Sequence, residues 1–501
     1  MVKSIVRFCL RWHRLLLWPA FFSLFVFVLS GFMHILMTWT GPQAAQALPP
    51  QAQFAAESVT RIPVILQQHN ITQAAIIKLV PGEQGNVLQV SSDDKQPRRY
   101  FSLDSGEEII DGDPQQARWL ARHYYSSKKN TKDGAEKSEI NAAKMEYLTA
   151  FDESYPWVNR LLPVYRITLD DAEHTTLTVH TETGALADIN NDWKRTLQTV
   201  FQQLHTFRWL EPLPATRIVL MLFFLSSLLA TVLAGGVLLY NMPKRKIPNQ
   251  KRRLHRRIAH IIWIPLFGFV ASGMYHLLYS ELNTETRGLR LLAPLKLADA
   301  TAFANAALPQ QALYAINLIQ MPDQLLLRAS LAPATTQGHA HHGASNTDAH
   351  AQRTARFDGI NKEQGAMYFD ARTGATADIN DEQVACALAA NFLHASAALI
   401  ARSEKITRFS PDYDFRNKRL PVWRVDFNTA EQDSVYIDVA SGVLVDTANN
   451  KARAESYSFS FLHKWNMLTP LTGREWRDGG IVATLSLALL LATLGLLLRR
   501  K

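Results

Sequence analysis

The 501-residue chain has two cysteines, Cys9 and Cys386. Two thiols cannot form a disulfide framework or a cysteine-based metal site, and without a Cys-x-x-Cys-His there is no attachment point for a c-type haem. The sequence has no phosphate-binding P-loop, no glycine-rich dinucleotide fingerprint, no His-Glu-x-x-His and no Gly-x-Ser-x-Gly. Nucleotide-dependent, zincin and serine-hydrolase chemistry therefore lack their usual groups. Acidic residues are almost absent from the long apolar runs, which argues against an ion path lined by carboxylates.

Hydrophobic residues make up 47% of the chain, yet its mean hydropathy is near zero. A few very apolar stretches alternate with long polar ones. Four stretches, residues 15–37, 218–240, 258–279 and 481–498, are long enough to span a bilayer as helices. The formal charge of +9 is concentrated beside them. Basic residues crowd at Lys3, Arg7, Arg11 and Arg14, from Lys244 to Arg257, and at Arg499, Arg500 and Lys501. The positive-inside rule makes all three clusters cytoplasmic, with both termini inside and the two long polar segments outside. Each basic run abuts a span, so its charge reports topology and no nucleic-acid partner is expected. Ala45-Gln46-Ala47 resembles a signal cleavage site, but the apolar run before it is longer than a signal core, and we read an uncleaved anchor. Cys9 and Cys386 then lie on opposite sides and cannot pair.

This predicts an integral membrane protein: an α-helical bundle of four transmembrane helices plus two periplasmic α+β domains. Residues 1–40 hold the cytoplasmic N-terminus and first span, and residues 41–214 the first periplasmic domain. Residues 215–241 form the second span, 242–255 a basic cytoplasmic loop and 256–281 the third span. Residues 282–478 form the second periplasmic domain, with a His-rich loop at 338–350, and residues 479–501 the fourth span and C-terminus. In the first domain the pattern predicts helices over 55–69 and 115–126 and strands over 74–79, 87–91, 98–103, 162–169 and 175–181. Turns fall at Asp104-Ser105-Gly106-Glu107 and Glu182-Thr183-Gly184-Ala185. The charged stretch 128–138 is expected to be a loop.

The second half echoes the first. Arg11-Trp12-His13-Arg14 through Ser30-Gly31-Phe32-Met33-His34 returns as Leu254-His255-Arg256-Arg257 through Ser272-Gly273-Met274-Tyr275-His276. In each copy the histidines are 21 residues apart. That is about 31 Å of helix, close to the thickness of a bilayer's hydrocarbon core. Leu162-Pro163-Val164-Tyr165-Arg166-Ile167 matches Leu420-Pro421-Val422-Trp423-Arg424-Val425 at an offset of 258, as does Leu204-His205 against Leu462-His463. Tyr100-Phe101 matches Tyr368-Phe369 at 268. We read an internal duplication of helix–domain–helix, its halves related by a pseudo-two-fold along the membrane normal.

The duplicated histidines carry the candidate chemistry. His13 and His255 fall at the cytoplasmic ends; His34, His276, His205 and His463 fall at the external ends. A b-type haem needs only two facing imidazoles and fits between helices. His13 with His255 would hold one haem. Outside, His34 and His276 could share one, or each could pair with a histidine of the His205/His463 set. Arg14, Arg256 and Arg257 are candidates for haem propionates, and topology alone accounts equally for their charge. His260 matches Trp18 and is read as packing, with ligation as the lesser alternative. Trp39, Phe207, Trp209, Tyr275, Tyr279, Trp465 and Trp476 read chiefly as interfacial aromatics. The unduplicated loop carries His339, His341, His342 and His350, a candidate for transition-metal capture or a variable polar insertion. No catalytic residue is legible.

The Trp12-His13-Arg14 and Leu254-His255-Arg256 helix starts, the late Ser-Gly turns, and the hairpins Tyr368-Phe369-Asp370-Ala371-Arg372-Thr373-Gly374 and Tyr436-Ile437-Asp438-Val439-Ala440-Ser441-Gly442 resemble the PepSY-associated transmembrane helix family, also described as iron-regulated membrane proteins. The resemblance covers nearly the whole chain. It implies PepSY-like periplasmic domains and two haems b on the six duplicated histidines. It also implies a bacterial inner-membrane reductase passing electrons to a periplasmic ferric-siderophore and releasing ferrous iron. A separate cytoplasmic or membrane electron donor is then required. The His-rich loop departs from that pattern and leaves copper or another metal open as cargo. Two other readings stand beside it: a non-enzymatic membrane-anchored PepSY binding or regulatory protein with a peptidase or transporter partner, and a metal uptake component.

Overall fold

An apolar run in lipid must satisfy its backbone within itself, and helix is the local way to do so. The computed structural model describes residues 2–44, 49–93, 95–129, 142–242, 249–283, 290–298, 302–331 and 365–499. Four helices in it are long and apolar enough to cross a membrane: Leu17–Thr40, Pro214–Asn241, Gln250–Leu282 and Asn466–Leu498. The protein is a multi-pass membrane protein with mixed α/β regions, and its chain divides into two units.

The first unit comprises Met1–Pro42, Asp192–Glu285 and Ala452–Lys501. The helix Val2–Leu15 runs almost unbroken into Leu17–Thr40, joined by bonds from Leu16 N to Trp12 O and from Ala20 N to Leu16 O. Pro214 opens its helix at the first turn, where a missing N–H is harmless. Asn249 caps the next by accepting from Arg252 N at 3.1 Å. The helices meet along rows at four-residue spacing: Ala20, Leu24 and Val28 against Ile258, Ile262, Leu266 and Val270, with Leu228, Val232, Ala488 and Leu494. Outward faces carry large exposed apolar side chains such as Phe22, Phe25, Phe223, Ile261 and Ile264, as a lipid-facing surface requires. Gly236 admits the Trp263 indole, whose Nε1 donates to Val232 O at 2.8 Å.

Two further elements approach this bundle. The amphipathic helix Asp192–His205 packs on Leu17–Thr40. The helix Asn450–Ser458 continues through a π-helical turn, Phe459–His463, against Gln250–Leu282. The last helix, Thr469–Arg499, bends at Gly473, whose φ of 76° suits glycine.

The second unit comprises Gln43–Asn191 and Thr286–Lys451. Its first segment contains β1 (Gln73–Ala74), β2 (Ile76–Gly82), β3 (Gly85–Ser91), β4 (Arg99–Ser102), β5 (Ala142–Leu148), β6 (Val164–Leu169), β7 (Thr176–His180) and β8 (Ala185–Asn190). The helices Glu57–Gln68 and Gly112–Lys129 fall where the sequence places them. The second segment contains β9 (Leu291–Leu292), β10 (Leu295–Lys296), β11 (Leu313–Gln320), β12 (Leu325–Leu331), β13 (Ala366–Asp370), β14 (Thr376–Ala377), β15 (Ile400–Ile406), β16 (Val422–Phe427), β17 (Ser434–Asp438) and β18 (Val443–Ala448).

The two segments share one antiparallel sheet, ordered β14-β13-β12-β11-β2-β3-β4. The sequence pattern treats each segment separately, because period-2 alternation identifies strands and not their partners. Here β2 pairs with β11 through Lys78 opposite Asn317. Each segment also builds its own hairpin sheet, β5-β6-β7-β8 and β15-β16-β17-β18-β9. Gly112–Lys129 buries Ala117, Leu120, Ala121 and Tyr124 against the first, and the helix Asp381–Leu393 buries Val384, Ala385, Leu388 and Ala389 against the second. Buried ion pairs tie the segments together: Arg160 to Asp446 at 2.8 Å, and Arg419 to Glu182, with Arg419 also held by Asp438 of its own segment.

Candidate functional site

Five of the six duplicated histidines, all in the first unit, share one local chemistry. His13 Nδ1 lies 3.1 Å from the carbonyl of Thr231, and His255 Nδ1 lies 3.1 Å from the carbonyl of Leu491. A carbonyl only accepts, so in both rings Nδ1 carries the proton and Nε2 keeps its lone pair. Four residues beyond each acceptor stands a glycine. A Cβ on Gly235 would sit 3.6 Å from His13 Cε1, and one on Gly495 would sit 3.6 Å from His255 Cε1. Each imidazole thus lies close against a neighbouring helix backbone.

The other four histidines gather in two matching arrangements. His34 and His205 both contact the Phe201 ring, at 5.3 and 4.8 Å between centres; His276 and His463 contact Phe459 at 4.3 and 4.7 Å. Ser30 Oγ donates its one proton to Phe27 O at 3.0 Å, so towards His205 Nδ1, 2.8 Å away, it accepts. Ser272 Oγ donates to Gly268 O at 2.6 Å, and His463 Nδ1 lies 3.3 Å from Ser272 Oγ and 3.2 Å from Phe269 O. His276 Nδ1 meets Glu455 Oε1 at 2.5 Å. His34 has no hydrogen-bonded ring nitrogen among the described residues. His205 and His463 join the two arrangements edge to face, 6.3 Å between centres.

Five of the six imidazoles therefore have Nδ1 held by an acceptor and, among the described residues, no hydrogen-bond partner on Nε2. That is how metal-ligating histidines are oriented. No group of three or more His, Cys, Asp or Glu side chains suited to a small metal ion occurs among the described residues. Paired imidazoles among aromatic and aliphatic side chains fit an iron porphyrin better than a bare ion. Histidines at opposite ends of a span of about 31 Å cannot ligate one iron, so any group held at one end would be separate from one held at the other.

The remaining candidates divide. Arg256 donates to Met242 O at 2.9 Å and Leu239 O at 3.5 Å, closing the end of Pro214–Asn241; Arg14 and Arg257 are exposed. His260 is exposed and bonds to Arg256 O of its own helix, so it packs in no core. Trp209 and Trp476 are exposed, as interfacial residues would be, whereas Phe207 is buried and stacks on Phe27, and Trp465 stacks on Phe269. The loop residues His339, His341, His342 and His350 lie outside the described residues, as do 130–138, Lys244, Arg245, Lys246, Arg500 and Lys501.

Sequence reasoning missed the partners. Ser30 and Ser272 stood inside the repeated Ser-Gly-x-x-His, and Phe201 and Phe459 open a repeated Phe-x-x-x-His at the 258 offset, so both pairs were within reach. Glu455 was not, because Leu197 occupies its place in the first half. No protein-family model matches the chain, and neither a curated protein nor a solved structure matches it.

Proposed function

We propose that this chain is a bacterial inner-membrane b-type haem reductase. It would pass electrons across the membrane to a periplasmic ferric-siderophore, so that ferrous iron is released for uptake. The observation that carries this reading is the shared orientation of the histidines, Nδ1 on an acceptor and Nε2 left open, at both ends of the spans. Haem, when bound, supplies one-electron chemistry. The protein's part is to hold and orient the ligands. His13 and His255 would hold the inner group through Thr231 and Leu491. The outer group would be held among His34, His205, His276 and His463, with Ser30, Ser272 and Glu455 fixing tautomers. Aromatic walls at Phe27, Phe201, Phe269 and Phe459 keep water from the outer site.

The equal offsets of these contacts favour an internal duplication with PepSY-like soluble domains, consistent with the resemblance to iron-regulated membrane proteins. The basic clusters favour cytoplasmic termini. Electrons would come from a separate cytoplasmic or membrane donor.

The test is a reduced-minus-oxidised optical spectrum of the detergent-solubilised protein with pyridine haemochrome quantitation. Two haems b per chain are expected, with about half the signal lost in His13→Ala and again in His463→Ala. A colourless protein from haem-replete cells would rule the reading out and leave a membrane-anchored binding protein.

A further inference from the structure

The shared sheet of the second unit carries a row of polar side chains across six strands. Tyr368, Arg328, Asn317, Lys78, Gln89 and Tyr100 stand opposite one another in register. Their neighbours Ile316 and Leu318 turn to the apolar core on the other face. The other members of the row each have at least one side-chain partner. Arg328 makes a bidentate pair with Asp381, which also accepts from Tyr368. Tyr100 donates to Asp113 at 2.9 Å, and Gln89 donates to Tyr100 and to Thr181 O. Lys78 pairs with Glu182 at 2.7 Å.

Asn317, at the joint of the two segments, is the exception. Its side chain is 2% exposed, and neither Oδ1 nor Nδ2 has a partner among the described residues. It lines a cavity of about 260 Å³ together with Lys405, Lys418, Arg419 and Trp423. The buried Nε of Arg419 and Nε1 of Trp423 also lack hydrogen-bond partners, and among the described residues the ammonium groups of Lys405 and Lys418 make no hydrogen bond or close ion pair. The cavity's carboxylates, Glu182, Asp381 and Asp438, are already taken by Lys78, Arg328 and Arg419. Five cations face three engaged anions there, so what is missing is an acceptor-rich negative charge. Pro49, Pro50, Leu420, Pro421 and the Trp423 ring supply apolar wall, which suits an organic body more than a bare inorganic ion.

We propose that this cavity binds a small organic carboxylate, its oxygens taken by Asn317, Lys405 and Lys418 at the joint of the shared sheet. Burial holds the Lys418 ammonium down to about 8, with Arg290 and Arg416 lowering it further and Asp188 and Asp414 opposing. A bound anion would restore the full charge, so binding weakens as pH rises through that value. The site belongs to the second unit alone and stands or falls apart from the haem reading.

The test uses the full chain in detergent and isothermal titration calorimetry with citrate and succinate, with inorganic phosphate as a separate arm. Saturable carboxylate binding is expected, weakened about 10-fold or more by Lys418→Met. Asn317→Leu is the sharper variant. Filling the position with an apolar side chain removes an unpartnered buried amide, so the ligand-free protein should melt no lower than the parent. It should nevertheless lose the thermal stabilisation that citrate confers on the parent. No heat and no melting shift with citrate or succinate at millimolar concentration would overturn the proposal. So would carboxylate binding that is unchanged in both variants. Binding of phosphate alone would overturn the carboxylate assignment.

Discussion

His205 and His463 face each other edge to face, their ring centres 6.3 Å apart, where the two histidine arrangements meet. Within a half, Phe201 contacts both His34 and His205, and Phe459 contacts both His276 and His463. Within each half the two imidazoles share a phenyl ring, whereas His205 and His463 meet directly, which favours a ligand pair that crosses between halves. If His205 and His463 are that pair, each alanine variant loses the same haem and the double variant loses no more. Haem content of about one per chain in all three would bear this out. A fully colourless double variant would sink the cross-half pairing.

Ser30 acts on His205 without touching any ligand of its own. Its hydroxyl proton is committed to Phe27 O, and its oxygen holds His205 Nδ1 at 2.8 Å. Ser30→Ala frees the ring to rotate and to change tautomer. Loss of such an outer partner costs roughly 10–100-fold in ligand-site affinity. Competition for haem by apomyoglobin should reveal the faster loss, with Ser30→Thr restoring retention. Equal retention in Ser30→Ala would mean the hydrogen bond is incidental.

The halves differ at one charged position. Glu455 accepts from His276 Nδ1, whereas the corresponding residue of the first half, Leu197, is a buried aliphatic. A carboxylate behind an imidazole raises its basicity and favours the oxidised metal. If His276, rather than His205 or His463, supplies an outer ligand, Glu455→Gln should raise one midpoint potential and leave the other in place. A spectroscopic redox titration that resolves two waves checks this; movement of both, or of neither, contradicts it.

Much of the fold is legible in the chain because lipid and core both impose short-range periodicity. The four spans, the helices near 57 and 112, and the strands around Val87 and Val164 follow from apolar runs and alternation. The shared sheet does not, since the pairing of Lys78 with Asn317 joins residues 239 apart and no local pattern encodes it. The candidate site divides in the same way. Histidines are conspicuous in a sequence, but the acceptors of His13 and His255 are backbone carbonyls, which any residue can offer. Phe207 looked like an interfacial aromatic because composition cannot tell a buried ring from an exposed one.

Close helix packing makes its own forecast at Gly236. A Cβ there would overlap the Trp263 ring, so the indole must move. Gly236→Ala should cost about 1–3 kcal/mol by overpacking. Gly236→Ala with Trp263→Leu should recover part of that loss, read as melting temperature in detergent. An additive double variant would show that the two positions do not share the space.

Glu182 gives the second unit an acid-sensitive joint. Burial alone would raise its carboxyl, but Arg419 and Lys78 outweigh burial and hold it well below the usual carboxylate range. The unfolded chain takes up this proton near pH 4.5, and the folded chain only at a lower pH. Between those values the unfolded state binds more protons, so stability falls as pH drops. The contribution is complete above pH 4.5 and is lost through the folded value. Glu182→Gln leaves Lys78 without its carboxylate and Arg419 with Asp438 alone. At neutral pH it should cost roughly 3–5 kcal/mol, the usual loss when one partner of a buried pair is removed. It should also flatten the fall in urea midpoint between pH 5 and the acid limit, because the titrating group is gone. A variant that loses stability yet keeps the parent's acid slope would show that Glu182 is not the titrating group.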